Sequence, residues 1–242
     1  MSDINNKLYN IRRLDEIGEQ STFIHSINSM IKIIVTLLYI IKVISIDTVN
    51  LKDILILLVY PLVIFIVGKI NFLVIAKKLI IVLPLILGIV TINMCIGPTI
   101  YQFIKSILLI LKSILTVFGG LLLLASTGMN NISIGLRKMK VPNIFVIQLM
   151  MLYRYIIVML EEAHRIKSAY SLRNGSNKGI NILDFGTIIG QMLLRAIDRG
   201  ENVYGAMKLR GYDGNIITDN DSKISYIDII YLLFWIILFF II

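Results

Sequence analysis

Two short segments in the polar part of the chain nearly repeat each other, and each places an arginine at a predicted helix end. Residues 169–175 read Ala-Tyr-Ser-Leu-Arg-Asn-Gly, and residues 206–214 read Ala-Met-Lys-Leu-Arg-Gly-Tyr-Asp-Gly. The fork of donors on Arg173 and on Arg210 matches carboxylates or helix-end carbonyls of a partner. The repeat therefore favours docking to a partner with two equivalent grooves. A cation in a last helical turn also satisfies the helix dipole, and that alternative stays open.

The other reactive side chains form no set that could perform catalysis. The chain has no Gly-x-x-x-x-Gly-Lys-Ser/Thr loop, so it is not expected to bind ATP itself. His25 and His164 form no metal-ligand motif, and the single cysteine excludes a cysteine-based zinc site. Glu161 and Glu162 are expected to pair with Arg165 along a helix rather than to relay protons. We therefore expect no enzymatic activity, no cofactor and no metal site.

The composition is that of a membrane protein. Hydrophobic residues make up 57% of the 242 residues, and the mean hydropathy is +0.84. Soluble domains are usually roughly half apolar or less. The net charge of +9 comes from basic residues concentrated in loops and in residues 129–225. In a membrane protein this asymmetry indicates topology, so no nucleic-acid partner is expected.

Five hydrophobic stretches are long enough to cross the lipid bilayer as helices, for which about 20 residues are needed. They are residues 28–46, 53–70, 79–96, 103–125 and 226–242. Lys32 and Lys42 lie near the ends of the first stretch and are expected to snorkel towards the interface. Lys112 lies deeper in the fourth stretch and needs a polar neighbour or a tilted helix.

Basic loops set the expected orientation. The N-terminal segment and the loop at 70–78 carry several basic residues, whereas the loops at 47–53 and 96–102 carry one lysine between them. We therefore expect a multi-pass protein of the cell membrane with a cytoplasmic N-terminus. The expected domains are residues 1–128 with four spans, residues 129–225 as a cytoplasmic helical region, and residues 226–242 as the fifth span.

The polar region at 129–225 is expected to be helical. It is predicted to hold a short helix capped by Asn130 or Asn131, a helix over 143–172 stopped by Asn174 and Gly175, and a helix over 184–209 capped by Asp184. The two long helices are amphipathic and are expected to be too polar to span. They should therefore lie at or below the membrane surface.

Two further features of these helices have two interpretations each. Gly186 and Gly190 lie four residues apart, which favours a close helix crossing or simply flexibility near a helix start. Five methionines offer an adaptable surface for a sliding partner, or they fill the core. They are Met150, Met151, Met159, Met192 and Met207.

Several segments of this region together carry a family resemblance. They are Tyr-Arg-Tyr at 153–155, Glu-Glu-Ala-His-Arg-Ile at 161–166, Gly-Gln-Met-Leu-Leu-Arg at 190–195, Val-Tyr-Gly-Ala-Met at 203–207 and Arg-Gly-Tyr-Asp-Gly at 210–214. They resemble the transmembrane T component of energy-coupling factor (ECF) transporters, in the CbiQ-like branch tied to cobalt or nickel uptake. Residues 25–32 resemble the family's entry into its first span, and the layout matches over most of the chain.

The resemblance implies two cytoplasmic coupling helices, each ending in an Ala-Arg-Gly-type motif that docks into a groove of one ATPase subunit. The ATPase-coupling residues would be Leu172, Arg173 and Asn174 in the first motif, and Leu209, Arg210 and Gly211 in the second. Here leucine replaces the alanine of both motifs, and Asn174 stands where glycine is usual. Asparagine tolerates the left-handed conformation that such a helix end demands.

The sequence predicts an all-α integral membrane protein with about five transmembrane helices and amphipathic coupling helices. The resemblance implies the coupling subunit of an ABC-type importer for cobalt or nickel. Such a subunit would pass ATP-driven motion from two ATP-binding cassette ATPase subunits to a membrane-embedded substrate-binding subunit. Two alternatives stay open: a T component shared by vitamin-specific importers, and a non-transport membrane scaffold that binds anionic lipid. Co-purification with ATPase subunits would distinguish a transporter from a scaffold.

Overall fold

The computed structural model describes residues 24, 27–46, 51–68, 72–96, 100–174, 182–214 and 225–241. Within these residues the chain forms α-helices and short connections, with no β-strand. The helices are α1 (Ser29–Ser45), α2 (Leu51–Val67), α3 (Phe72–Ile96), α4 (Ile100–Thr127), α5 (Met129–Lys138), α6 (Asn143–Asn174), α7 (Ile182–Leu209) and α8 (Tyr226–Phe240). The predicted all-α fold is confirmed.

Helices α1 to α4 and α8 lie within or overlap the five stretches that were predicted to cross the membrane. By length and apolar composition, three of the described helices can cross a bilayer, namely α3, α4 and α6. The prediction that the helix over 143–172 is too polar to span is therefore wrong for α6. Its charged residues gather after residue 160, and its first half carries only Arg154.

The described helices form two compact units. One holds α1 to α5 and α8, the other holds α6 and α7, and the boundary lies between Met139 and Lys140. Lys140 has a φ of 62°, in the left-handed region that non-glycine residues rarely adopt. The predicted cap of α5 by Asn130 or Asn131 is wrong, because the helix already begins at Met129 and encloses both asparagines.

In the larger unit α1 packs against α4, α5 and α8, and α4 also packs against α2 and α3. The buried face of α1 carries Tyr39, which is fully buried. Its ring stacks on Tyr60 of α2 with centroids 4.5 Å apart, and Trp235 of α8 meets Tyr60 edge-on at 4.8 Å. Aromatic pairs in these geometries add to the energy of apolar burial, so this cluster ties three helices together.

Two lysines of the predicted spans donate to carbonyls at the ends of other helices. Lys32 is 4% exposed, and its ammonium donates to the Ser126 carbonyl near the end of α4 at 3.1 Å. The predicted snorkelling of Lys32 is wrong, because a helix end of negative polarity holds the ammonium inside the protein. Lys112 donates to the Ile44 carbonyl at the end of α1 at 3.1 Å, which confirms the predicted polar neighbour.

Candidate functional site

The two helices that carry the arginine motifs run antiparallel to each other. α6 and α7 pack side by side within one unit. Three contacts set their register: the Tyr170 hydroxyl donates to the Asp184 carboxylate at 2.6 Å, Arg195 donates to Glu162, and the Arg199 guanidinium lies 5.8 Å from the ring centroid of Tyr155. The residue numbers of these contacts fall along α6 as they rise along α7, so the two helices are antiparallel.

This register places the two motifs at opposite ends of the helix pair. Arg173 lies at the end of α6, next to the start of α7, whereas Arg210 follows the end of α7. From Asp184 to Arg210 the rise of an α-helix gives a separation of about 39 Å along α7. The helix pair thus presents its two similar arginine motifs far apart.

The first motif ends α6 beside a cavity of about 360 Å³ between the two helices. Leu172 is 84% exposed, and Arg173 is also exposed. Arg173 lines the cavity together with Arg165, Arg195 and Asp184. Guanidinium groups outnumber carboxylates on this wall, so the first motif presents an excess of positive charge.

The second motif ends α7 in a Schellman geometry. The Tyr212 amide donates to the Met207 carbonyl at 3.0 Å, and Gly211 has a φ of 83°. Leu209 is 91% exposed, and Arg210 is exposed beside it. An apolar side chain and a guanidinium therefore project into solvent from a helix end of defined geometry.

The two motifs end their helices differently. Asn174 is the last residue of α6, and Lys140 is the only non-glycine residue with a positive φ in the described part of the chain. Asn174 therefore does not adopt the left-handed conformation that asparagine tolerates. Gly175, the next residue named as a stop signal, lies outside the described residues.

Asp184 does not cap α7 as predicted, because the helix begins two residues earlier at Ile182. Its carboxylate accepts the Tyr170 hydroxyl instead. The predicted pair of Glu162 with Arg165 is confirmed at 3.7 Å, but Glu162 also accepts from Arg195 of α7. Sequence reasoning missed Tyr170 and the interhelical role of Arg195, because helical spacing reports only partners on the same helix.

The two glycines predicted at a helix crossing meet no neighbour within the described residues. A Cβ atom placed on Gly186 or Gly190 would find no other atom within 4 Å. α6 and α7 therefore do not approach each other closely at this face. The close helix crossing predicted at these glycines is therefore not formed by the described helices.

The five methionines are all half-buried. Three of them, Met151, Met159 and Met207, line cavities between α6 and α7. Their flexible thioethers leave room in these cavities to adapt to a bound apolar group.

No group of three or more histidine, cysteine, aspartate or glutamate side chains that could hold a metal ion occurs in the part of the chain that the structure describes. His164 places Nδ1 3.2 Å from the Ser168 hydroxyl. The described site therefore consists of exposed arginines and apolar surfaces, and both can bind a partner protein.

Comparison with known proteins shows which proteins this chain is similar to. The family described as cobalt transport protein, CbiQ, matches residues 20–223. An uncharacterized protein of Methanocaldococcus jannaschii is 35% identical over 95 residues, which are 38% of this chain and 35% of that protein. A protein of Methanocorpusculum labreanum, provisionally named fused cobalt transport protein CbiMQ, is 35% identical over 80 residues, which are 33% of this chain and 13% of that protein.

The chain thus spans about a third of the length of the first relative and a smaller part of the second. The family match, in contrast, extends from before α1 to beyond α7 and includes both arginine motifs. Together with the apolar helices, it identifies a membrane protein of a transport family. Since the match covers most of its length, the chain belongs to the CbiQ family of cobalt transport proteins.

Proposed function

We propose that this protein is the membrane coupling subunit of an ABC-type importer for cobalt. In this role it passes ATP-driven motion from two ATP-binding cassette ATPase subunits to a separate membrane subunit that binds the substrate. α6 and α7 act as the coupling helices, and the two arginine motifs and the N-terminus face the cytoplasm. The protein itself performs no chemical step.

One observation carries the proposal: matched pairs of an exposed leucine and an exposed arginine lie at opposite ends of the α6–α7 pair. Leu172 and Leu209 are 84% and 91% exposed, so each helix end presents an apolar side chain to a partner. Next to each lies an arginine able to bind a carboxylate bidentately. Two similar motifs about 39 Å apart suit a partner that presents the same groove twice, as a dimer of identical or related ATPase subunits does.

A second surface supports contact with a membrane-embedded subunit. Four apolar residues spaced four apart on α7 are 49–60% exposed, namely Phe185, Ile189, Leu193 and Ile197. They lie on a different face from Asp184, Ile188 and Arg195, which face α6. An apolar face of this extent on a polar helix is typical of a protein or membrane contact.

Cobalt as the transported ion rests on the family and on the name of the second relative. The ion is cargo, and in this proposal the separate substrate-binding subunit holds it. Uptake of radioactive cobalt, with nickel and vitamins as competitors, would test this assignment. Competition by a vitamin would instead favour a shared T component.

The coupling role is tested by removing both arginines. Cells that produce Arg173→Ala/Arg210→Ala should lose cobalt uptake, and the variant should retain less ATPase when purified from native membranes. Lys167→Ala is the control, since it removes an exposed cation from α6 outside the repeated segments. Normal uptake and ATPase retention in the arginine variant would refute the coupling role and favour a membrane scaffold.

A further inference from the structure

Arg210 is the residue that directly follows α7, and hydrogen bonds hold the backbone on both sides of it. The Arg210 amide donates to the Met207 carbonyl at 3.1 Å. The Gly211 amide donates to the Lys208 carbonyl at 3.1 Å, and the Tyr212 amide donates to the Met207 carbonyl at 3.0 Å. These last two bonds are the pair that defines a Schellman cap. The direction in which Arg210 leaves the helix therefore depends on the cap staying closed.

Tyr212 turns back from this cap towards the helix pair. It is half-buried, whereas Leu209 and Arg210 are exposed. A glycine with a positive φ lies on each side of it, namely Gly211 at 83° and Gly214 at 95°. Glycine adopts this left-handed conformation without steric cost. The backbone thus changes direction both before and after Tyr212, which leaves this residue facing inward next to two residues that face solvent.

The seat of Tyr212 is an apolar cavity of about 620 Å³ between α6 and α7. Tyr212 and Met207 both line this cavity, and so do Ile147 and Met151 of α6. A contact between the residue after the cap and an apolar residue of the last helical turn commonly accompanies a Schellman cap. Here the seat includes α6 as well. An aromatic ring buries a large apolar area at low conformational cost, so Tyr212 can anchor the cap to both helices.

The first motif has no counterpart of this residue. When Leu172 and Arg173 are aligned with Leu209 and Arg210, Gly175 stands opposite Tyr212. A glycine has no side chain that could fill an apolar cavity. The anchor therefore belongs to the second motif alone, and its removal tests one docking motif without changing the other.

We propose that Tyr212 is the positioning residue of the second docking motif. Its ring, seated in the apolar cavity, keeps the cap closed and so holds Leu209 and Arg210 in the direction in which the ATPase groove receives them. A binding group that is already held in place loses less conformational entropy on docking, so the anchor strengthens ATPase binding. This inference rests on the proposed coupling role, because the gain is realised only when an ATPase subunit docks.

The anchor itself is tested in the full-length protein without ATPase subunits. After Cys95→Ser, a spin label on Leu209→Cys reports the mobility of the second motif, and a label on Leu172→Cys reports that of the first. Tyr212→Ala should increase the mobility at position 209 and leave position 172 unchanged, which also shows that the helix pair stays folded. Tyr212→Phe keeps the ring and should match the wild type. Unchanged mobility at position 209 in Tyr212→Ala would overturn the anchor.

Tyr204→Ala is the matched control. Tyr204 lines the same cavity from α7, but its amide takes no part in the cap. Its removal should therefore leave the label at position 209 as it is in the wild type. A gain in mobility equal to that of Tyr212→Ala would show that any loss from the cavity wall loosens the motif, which would overturn the specific role of Tyr212.

The docking role is tested by purifying the protein with its ATPase subunits from native membranes. Tyr212→Ala should retain several-fold less ATPase than the wild type, whereas Tyr212→Phe and Tyr204→Ala should retain as much. Full retention in Tyr212→Ala, together with a mobile label at position 209, would overturn the role of the anchor in docking. Absence of ATPase from the purified wild type would instead refute the coupling role, and the label mobility would still decide whether Tyr212 anchors the cap.

Discussion

The Asp228 carboxylate accepts a hydrogen bond from the backbone amide of Asn28, 200 residues earlier in the chain, at 2.9 Å. Its other oxygen accepts the Ser225 amide at 2.9 Å. Asn28 and Ser225 are the N-cap residues of α1 and α8, so one buried carboxylate stabilises the positive ends of the first and last described helices. Asp228 also attracts the buried ammonium of Lys32.

Replacing Asp228 should therefore destabilise the protein. Asp228→Ala leaves two backbone amides without their acceptor, and each lost partner in a buried setting costs about 1–3 kcal/mol. Asp228→Asn keeps one acceptor oxygen and should cost less. Thermal unfolding in detergent measures both changes. If the alanine variant unfolds at the wild-type temperature, the shared cap contributes no stability.

Two adjacent glycines of α4 should respond differently to the same substitution. A Cβ atom on Gly119 would lie 2.8 Å from Cε1 of Tyr39, whereas one on Gly120 would meet nothing within 4 Å. Overpacking of this kind costs about 1–3 kcal/mol, so Gly119→Ala should lower the unfolding temperature. Gly120→Ala should be neutral or stabilising by up to about 1 kcal/mol. Equal effects of the two changes would contradict the close packing of Tyr39 on α4.

The left-handed conformation of Gly211 should matter for docking of the second motif. Alanine in this conformation costs about 1–2 kcal/mol, so Gly211→Ala should unwind the helix end that presents Arg210. We expect a several-fold loss of ATPase subunits on purification, with partial rescue in Gly211→Asn because asparagine tolerates positive φ. Gly205→Ala, in the helix itself, is the control. Full ATPase retention in Gly211→Ala would show that this cap geometry is not needed.

The proposed topology can be tested with single cysteines after Cys95→Ser. Ser176→Cys should be protected from an impermeant thiol reagent in intact cells, because the coupling region is expected in the cytoplasm. Ile242→Cys should be labelled, because five spans that follow a cytoplasmic N-terminus place residue 242 outside. Both positions lie outside the described residues. Labelling of position 176 from outside would reverse the orientation or change the number of spans.

The amino-acid sequence alone was enough to locate most of the helices. Apolar runs predicted α8 within residues 226–242, and Gly211 predicted the end of α7, as the structure has them. Local signals also located Arg173 and Arg210 at helix ends. These predictions succeed because hydrophobic periodicity and helix stops depend on residues within one or two turns of each other.

The starts of helices were harder to locate. Asp184 is a good N-cap by type, yet α7 begins before it. Its carboxylate bonds to Tyr170 of another helix, and local preference does not include that contact. A capping residue competes with tertiary partners for the same side chain, so the sequence alone cannot decide its role.

Only the tertiary structure decided which residues meet. The bond from Asn28 to Asp228, the burial of Lys32 and the antiparallel contact of Glu162 with Arg195 join residues far apart in the chain. Helical periodicity shows which side chains share a face, but it does not show which other helix covers that face or in what register. Which helix covers a face, and in what register, depends on how all the helices pack together. That packing exists only in the folded chain.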